Sequence, residues 1–308
     1  MRKTPTGVAS LGRAAYVAIA SIGFIGCRGD SPVAPASSDP TTAPLSASRQ
    51  ATTSGRIVFV REVGTDFHLF TMDDDGTDVF RVTGAFLSAV SGSWAPDGKR
   101  IVASAMMASD VDLSLFSMNP DGTGITRLTA PPAGCHDHYP ATVGKRIAFL
   151  RACNLIGALM IMNEDGTGLT PLVDDILGAI GPSPRGDAIA YSRNGDIWLV
   201  DVATGGTVRL TNTPAFESQP TFSPGGKRIA FSVNELGSVR IFTMNPDGTM
   251  LTLVADHAHA PAWSPDGKRI AFTSETIGDV FVMNADGTAA TNLTQTSVFE
   301  APTAWTRY

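Results

Sequence analysis

Positive charge is in the minority in this sequence. The 308 residues contain 23 Lys and Arg against 29 Asp and Glu. Three of the basic residues lie in residues 1–26, which contain no acid, so the rest of the chain has 20 basic and 29 acidic residues, a net charge of −9. A basic stripe with interleaved aromatic side chains is also lacking. This balance argues against nucleic acid and anionic lipid surfaces as partners.

Two motifs of common enzyme classes are missing as well. The sequence has no Gly-x-Ser-x-Gly segment, which forms the nucleophile turn of α/β-hydrolases. It also has no glycine-rich loop of the kind that binds phosphate. The 31 glycines and 20 prolines instead belong to turns. So many turns favour an all-β fold.

The longest apolar stretch near the N-terminus is short. It runs from Ala14 to Gly26 after three basic residues, and at about 13 residues it falls below the roughly 20 that a spanning helix needs. A basic end, a short apolar stretch and small residues at the cut are typical of a secretory signal peptide. We therefore expect residues 1–26 to be removed on export.

The end of this segment resembles the lipobox of bacterial lipoproteins. Phe24-Ile25-Gly26-Cys27 places a small residue before a cysteine, which predicts that Cys27 is lipidated and becomes the new N-terminus. The alternative is an ordinary signal peptide with an incidental cysteine. Residues 27–53 are rich in Ser, Thr, Pro and Ala, so we expect a disordered tether. Arg28 after the cysteine suggests, by the same resemblance, the outer membrane.

The remainder, residues 54–308, is built from a repeated sequence. The sixth unit reads Ser-Pro-Asp-Gly-Lys-Arg-Ile-Ala-Phe, then a short apolar run and Met-Asn-Ala-Asp-Gly-Thr. The second and fifth units are close to this pattern, and the first, third and fourth keep parts of it. The glycine before the last threonine of each unit recurs at steps of 46, 44, 40, 42 and 39 residues, at Gly76, Gly122, Gly166, Gly206, Gly248 and Gly287. Each step has the length of one propeller blade, and Pro, Asp and Gly stand where hairpin turns need them.

The repeat predicts an all-β, six-bladed β-propeller of four-stranded blades. The first unit lacks its inner strand, and the segment Ala301–Trp305 near the C-terminus resembles Ala260–Trp263, the inner strand of the sixth unit. We therefore expect the C-terminal strand to complete the first blade and close the ring, which removes an open sheet edge. These motifs resemble the TolB-type propellers and the related WD-like repeats of the bacterial envelope. The TolB family has a separate N-terminal α/β domain, for which residues 27–53 are too short.

Four of the five histidines fall in two similar segments. Each segment ends two residues ahead of the proline that begins an inner strand, in blades three and six, which face each other across a six-bladed ring. Alternate residues of an extended segment share a face. The pair His136 and His138, or the pair His257 and His259, can therefore present two imidazoles to one divalent metal ion. The alternative is that these histidines are polar residues lining a wet channel entrance.

The two remaining cysteines form a candidate disulfide. Cys135 and Cys153 flank the first hairpin of blade three symmetrically about Gly144, so antiparallel pairing brings them close together. In an oxidising envelope we expect Cys135 and Cys153 to be linked. The alternative is two free thiols whose strand register is off by one.

The sequence contains no convincing catalytic constellation, so we expect a non-enzymatic scaffold. The prediction is a monomeric, lipid-anchored propeller of the cell envelope, on the periplasmic face of the outer membrane or the cell surface, that binds a protein or glycan partner without a cofactor. One alternative is a metal-dependent carbohydrate-active enzyme of the lyase type, using the histidine pairs. A propeller that binds a small ligand or sugar without chemistry is another.

Overall fold

The structure is a computed structural model that describes residues 55–154 and 156–306. This part of the chain contains 23 β-strands and no α-helix, which confirms the all-β class. Within these residues no helix has the length and apolar character that crossing a membrane requires. The predicted signal peptide (1–26), the tether (27–53) and Cys27 lie outside the described residues.

The described strands form five antiparallel sheets, four of which have four strands each. The first contains β23 (Glu300–Thr306), β1 (Arg56–Val63), β2 (Asp66–Asp73) and β3 (Phe80–Arg81), in that order. The second contains β4 (Ser88–Trp94), β5 (Ile101–Met106), β6 (Ser114–Met118) and β7 (Thr126–Arg127). The fourth contains β15 (Phe216–Phe222), β16 (Ile229–Glu235), β17 (Ser238–Met244) and β18 (Thr252–Asp256). The fifth contains β19 (Ala258–Trp263), β20 (Arg269–Ser274), β21 (Val280–Asn284) and β22 (Thr291–Asn292).

The third sheet has seven strands because one long strand belongs to two repeat units. Its strands are β8 (Cys135–Val143), β9 (Arg146–Cys153), β10 (Ile156–Asn163), β11 (Thr170–Pro182), β12 (Ala188–Arg193), β13 (Asp196–Asp201) and β14 (Thr207–Arg209). The first part of β11 pairs with β10 and the second part with β12. Asp175, in the bulge of the first pairing, and Gly178, in the bulge of the second, have positive φ, and together they turn the strand from one unit into the next.

The repeated Asn-x-Asp-Gly-Thr segments are turns closed by their own side chains. In the second unit the Thr123 N–H and hydroxyl both donate to Asp121 Oδ1, at 2.9 and 2.6 Å, and Asn119 Nδ2 donates to the Thr123 hydroxyl at 2.9 Å. These hydrogen bonds hold the pKa of Asp121 below its ordinary value. The carboxylate is thus part of the turn, and the same contacts recur in the third, fifth and sixth units.

The glycine of this turn also packs one unit against the one before it. Gly122 has φ of +79°, and a Cβ atom on it would lie 2.3 Å from the carbonyl oxygen of Val82, which follows the outermost strand of the first sheet. Gly76 makes the corresponding approach to the carbonyl oxygen of Leu293, from the last sheet to the first. Any side chain there would force the neighbouring units apart.

The C-terminal strand β23 lies at the inner edge of the first sheet, antiparallel to β1, with Thr306 opposite Arg56 and Glu300 opposite Arg61. The innermost strands of successive units lie against one another in the order β4, β8, β11, β15, β19 and β23, and β23 in turn lies against β4. The apolar core follows the same arrangement. One buried cluster, for example, combines Val58 and Ala301 of the first sheet with Trp94 of the second and Ala260 of the fifth.

Candidate functional site

The polar residues of interest lie where the innermost strands begin. In the fourth sheet Phe216, the first residue of β15, pairs with Asn234, just before the β16–β17 turn. The inner strand therefore starts at the same end of the sheet as that turn. The same register places Cys135 beside Cys153 and Ala258 beside Ser274. We call this end of the molecule the hairpin face, formed by the inner-strand starts and the turns β5–β6, β16–β17 and β20–β21.

Each inner strand is interrupted by a bulge a few residues below the hairpin face. In three of them the residue before the proline has φ of 51–54°, at Tyr139, Gln219 and Ala260. Non-glycine residues rarely adopt this conformation. The Tyr139 N–H donates to Ser91 Oγ at 3.0 Å, and the Ala260 N–H to Gln219 Oε1 at 3.0 Å. These bonds join neighbouring inner strands, so the bulges fix the relative placement of the units.

Three buried carboxylates lie just above the bulges. Asp137 receives two hydrogen bonds from Arg151, at 2.7 and 2.9 Å. Glu300 accepts a hydrogen bond from Arg61, and Glu217 accepts from the hydroxyls of Thr211 and Thr213. Burial raises the pKa of Glu217 and Glu300, and the hydrogen bonds oppose that shift. All three acids are engaged in joining strands and loops.

Glu217 and Glu300 were missed by the sequence reasoning, although a signal existed. Asp137 and Glu217 each precede the inner-strand proline by three residues, and Glu300 precedes Pro302 by two. The sixth unit has Ala258 at this position. An acid ahead of the proline therefore marks a buried carboxylate at the inner strand, and Arg151 and Arg61 stand directly opposite Asp137 and Glu300 on the next strand.

Cys135 and Cys153 are joined by a disulfide in the structure. They stand directly opposite each other in the β8–β9 pairing, the register that the sequence analysis anticipates. The bond ties the first residue of an inner strand to the end of the next strand at the hairpin face. It thereby fixes the start of β8, where His136 and His138 follow.

Replacing both cysteines by serine (Cys135→Ser with Cys153→Ser) is expected to lower the free energy of unfolding by about 3 kcal/mol, because a loop of this length is no longer closed in the unfolded chain. Urea unfolding of the native chain with and without reductant measures the effect. The double variant serves as the control, since reductant has no bond to break in it. An unchanged native midpoint under full reduction would contradict the expectation.

The histidines of the third unit come together. The rings of His136 and His138 are 6.0 Å apart between centroids, and His138 is only 4% exposed. Burial and the neighbouring His136 lower the pKa of His138 to about 3. His136 Nδ1 accepts a hydrogen bond from the Leu113 N–H at 3.2 Å and lies 3.6 Å from Asp112 Oδ1.

The histidines of the sixth unit have separate surroundings. His257 is exposed, and its Nδ1 lies 3.2 Å from Glu275 Oε2. His259 is buried and stacks on Phe299, with 6.1 Å between ring centroids and an angle of 11°. Burial lowers the pKa of His259 to about 4. Similar sequences thus produce two different environments.

The free energy of unfolding is expected to fall on acidification, because the buried His259 side chain is neutral in the folded protein. An unfolded imidazole takes up a proton near pH 6.5 and the folded one only near pH 4, so its contribution is complete above pH 6.5 and is lost as the pH falls towards 4. Between pH 7 and pH 5 this loss is about 2 kcal/mol. We expect His259→Phe, which keeps a ring against Phe299, to remove that part of the pH dependence in urea unfolding.

The matched control is His257→Phe, whose side chain is exposed and which should retain the full pH dependence. The raised pKa values of Glu217 and Glu300 act in the opposite sense but are common to both variants. Equal pH dependence of the two variants would show that burial of His259 does not contribute.

Antiparallel sheets whose innermost strands contact one another in sequence define a β-propeller. Residues 140–307, more than half of the chain, match the family model of the TolB beta propeller domain. The chain belongs to this family, which confirms the resemblance read from the repeat.

Solved structures agree with this assignment at the level of the fold. TolB from Acinetobacter baumannii superposes with a TM-score of 0.70 at 21% identity, over 83% of this chain and 67% of that one. A putative TolB from Agrobacterium tumefaciens gives 0.63 at 19% identity, over 81% and 91%. An oligogalacturonate lyase from Vibrio parahaemolyticus is less similar, with 0.52 at 11% identity over 78% and 74%.

One curated relative matches only a short segment. A Tricorn protease homolog of Saccharolobus solfataricus is 35% identical over 52 residues, which are 17% of this chain and 5% of that protein. The chain therefore spans a small fraction of that relative's length.

Proposed function

We propose that this protein is a non-enzymatic, six-bladed propeller of the cell envelope, anchored by a lipid on Cys27, that binds a protein or glycan partner at its hairpin face. The observation that carries the proposal is the use of the buried acids. Asp137, Glu217 and Glu300 are each held by arginine or threonine side chains within the fold. Groups committed to joining strands are poorly placed to transfer protons to a substrate.

The count of six blades is supported by the inner strands. The seven-stranded sheet divides at the turn within β11 into a third and a fourth unit. Together with the four other sheets this makes six units. Each contributes one inner strand to the sequence of contacts that returns from β23 to β4.

Three of the eight exposed large apolar side chains of the described residues lie in the turns of the hairpin face. Leu236, in the β16–β17 turn, is fully exposed and has φ of 54°. Ile277 in the β20–β21 turn is 52% exposed, and Val111 between β5 and β6 is 75% exposed. Single exposed apolar side chains are common on protein surfaces, and here they provide positions at which contact of this face with a partner can be tested.

Site-specific photo-crosslinking in the bacterial envelope tests the proposal. A photoreactive residue at position 236 should form an adduct with one defined partner, or a Leu236→Asp variant should lose binding on a glycan array. The matched control is position 250, because Met250 is 67% exposed but follows the turn at the opposite end of β17. Equal crosslinking at both positions, or turnover of a polysaccharide by the full chain, would contradict the proposal.

The anchor and the location are tested separately by fractionation. We expect the native chain to sediment with the outer membrane and to incorporate labelled fatty acid, and Cys27→Ser to do neither. If the native chain and Cys27→Ser are both recovered in the soluble fraction, the proposed lipid anchor is wrong, and the proposed binding role is unaffected.

A further inference from the structure

The third unit holds two imidazoles on one face of an inner strand. His136 and His138 are two residues apart on β8, so their side chains share a face, and their ring centroids are 6.0 Å apart with 60° between the ring planes. Asp137 lies between them and points the other way, to Arg151. One face of the strand therefore carries the buried ion pair of Asp137 and Arg151, and the other face carries the two imidazole rings.

One atom of this pair is buried without a protein partner. His138 Nε2 is inaccessible to solvent and has no hydrogen-bond partner among the described residues. Burying a polar nitrogen in this way is unfavourable. Other buried polar atoms of the described residues, such as Trp94 Nε1 and Trp263 Nε1, also lack a partner, but His138 Nε2 is an imidazole nitrogen, which a metal ion can satisfy.

The spacing of the rings is close to that of two ligands on one metal ion. Because a zinc–nitrogen bond is about 2.1 Å, two imidazoles on a tetrahedral ion have ring centroids about 5.3 Å apart. The observed 6.0 Å exceeds this by an amount that small side-chain rotations can close. Imidazole nitrogen suits zinc, copper and nickel better than calcium or magnesium.

We propose that His136 and His138 bind one divalent transition-metal ion of the zinc, copper or nickel class through their Nε2 atoms. In the described part of the chain no group of three His, Cys, Asp or Glu side chains is arranged to hold a metal. The side-chain rotations that bring the two rings together must also open His138 Nε2 to the ion, and water or a donor atom of another molecule then completes the coordination. This site is independent of the proposed partner-binding role.

Metal binding requires the proton of His136 to change nitrogen. Nδ1 now accepts from the Leu113 N–H, so the neutral ring carries its proton on Nε2. When Nε2 binds the metal, that proton moves to Nδ1, which has the negatively charged Asp112 Oδ1 3.6 Å away. A carboxylate behind a metal-bound histidine is a common arrangement that orients the ring. The Leu113 N–H then loses its hydrogen-bond acceptor, and this loss lowers the affinity for the metal ion.

The sixth unit provides a matched control within the same chain. His257 and His259 have the same spacing on a similar segment. However, His257 is exposed and lies beside Glu275, while His259 stacks on Phe299. The structure thus assigns the metal to only one of the two similar motifs.

Calorimetric titration of the full chain with zinc chloride tests the site, in a Cys27→Ser background so that this thiol does not contribute. We expect one zinc ion per chain, with affinity at least about 10-fold weaker in His136→Ala and in His138→Ala. His257→Ala and His259→Ala should bind as the parent does. With copper, the electron paramagnetic resonance spectrum should show two coordinating nitrogens in the parent and one in His136→Ala.

His136→Ala is the decisive variant, because the fully buried His138 also supports the fold. At equal zinc concentration, zinc should raise the unfolding temperature of the parent by more than that of His136→Ala. Circular dichroism of the parent and of His136→Ala checks that both proteins are folded. The proposal is overturned if the parent binds no zinc, or if the His257→Ala and His259→Ala variants weaken binding as much as His136→Ala does.

Discussion

Deleting residues 300–308 is expected to abolish cooperative folding of the propeller. Without β23, strand β1 becomes an open edge, although its Ile57 and Phe59 are fully buried in the native chain. Arg61 would lose Glu300 and remain partly buried without a partner, which alone costs about 3–5 kcal/mol against a typical domain stability of about 5–15 kcal/mol. The measurement is thermal unfolding followed by circular dichroism and by binding of a dye to exposed apolar surface.

In the control for this deletion, the same strand is supplied at the N-terminal end of the propeller. Thr306 stands opposite Arg56, so the segment Glu300–Thr306 can be placed between residues 54 and 55, followed by a short turn. This rearranged chain should recover the sharp transition, because the strand and its register are the same. A deletion variant that unfolds as cooperatively as the native chain would show that β23 does not close the fold.

Replacing Asp137 by alanine is expected to destabilise the protein by about 3–5 kcal/mol. Asp137 is fully buried and forms a two-bond ion pair with Arg151, which is itself mostly buried. Removing the carboxylate leaves the guanidinium without its counter-ion in a site of low dielectric constant, where an unpaired charge is costly. Urea unfolding of the full chain at neutral pH measures the change.

A double variant separates two contributions to stability: the cost of leaving Arg151 buried without a counter-ion, and the net stabilisation by the ion pair. We expect Asp137→Leu with Arg151→Met to recover most of the lost stability, because apolar replacements of similar volume often match a buried ion pair. The pair Glu300 and Arg61, at the same position of the first unit, should behave alike. A double variant as unstable as Asp137→Ala would mean that the pair itself stabilises the third unit.

The sequence predicted the strands well because the local signals are strong. Pro, Asp and Gly at fixed offsets determine where turns close, and the runs between them must then be strands. Trp94 and Trp263 end inner strands, and Trp305 lies in the C-terminal one. The sequence did not predict that β11 runs through two repeat units as one strand. The positive φ of Asp175 and Gly178 changes the direction of the backbone without ending the strand, and composition does not reveal such a change.

The candidate site was predicted less completely. Sequence reasoning singled out four histidines, but their spacing in the sequence is the same in both motifs and does not distinguish them. Only the packing places His136 beside His138 while it turns His257 towards Glu275. The buried Glu217 and Glu300 were overlooked because a charged residue in a strand is ordinarily expected at the surface.

By itself the sequence determined the repeat, the all-β class and the turn at each Asp-Gly-Thr, since these follow from φ preferences and from side chains that bond within a few residues. Tertiary structure decided what the turns contact. Gly122 is needed for its positive φ and also because the Val82 carbonyl of the preceding unit occupies the space of a Cβ atom. The pairing of β23 with β1 likewise joins residues nearly 250 positions apart. Such contacts depend on how whole units stack, which local propensities do not encode.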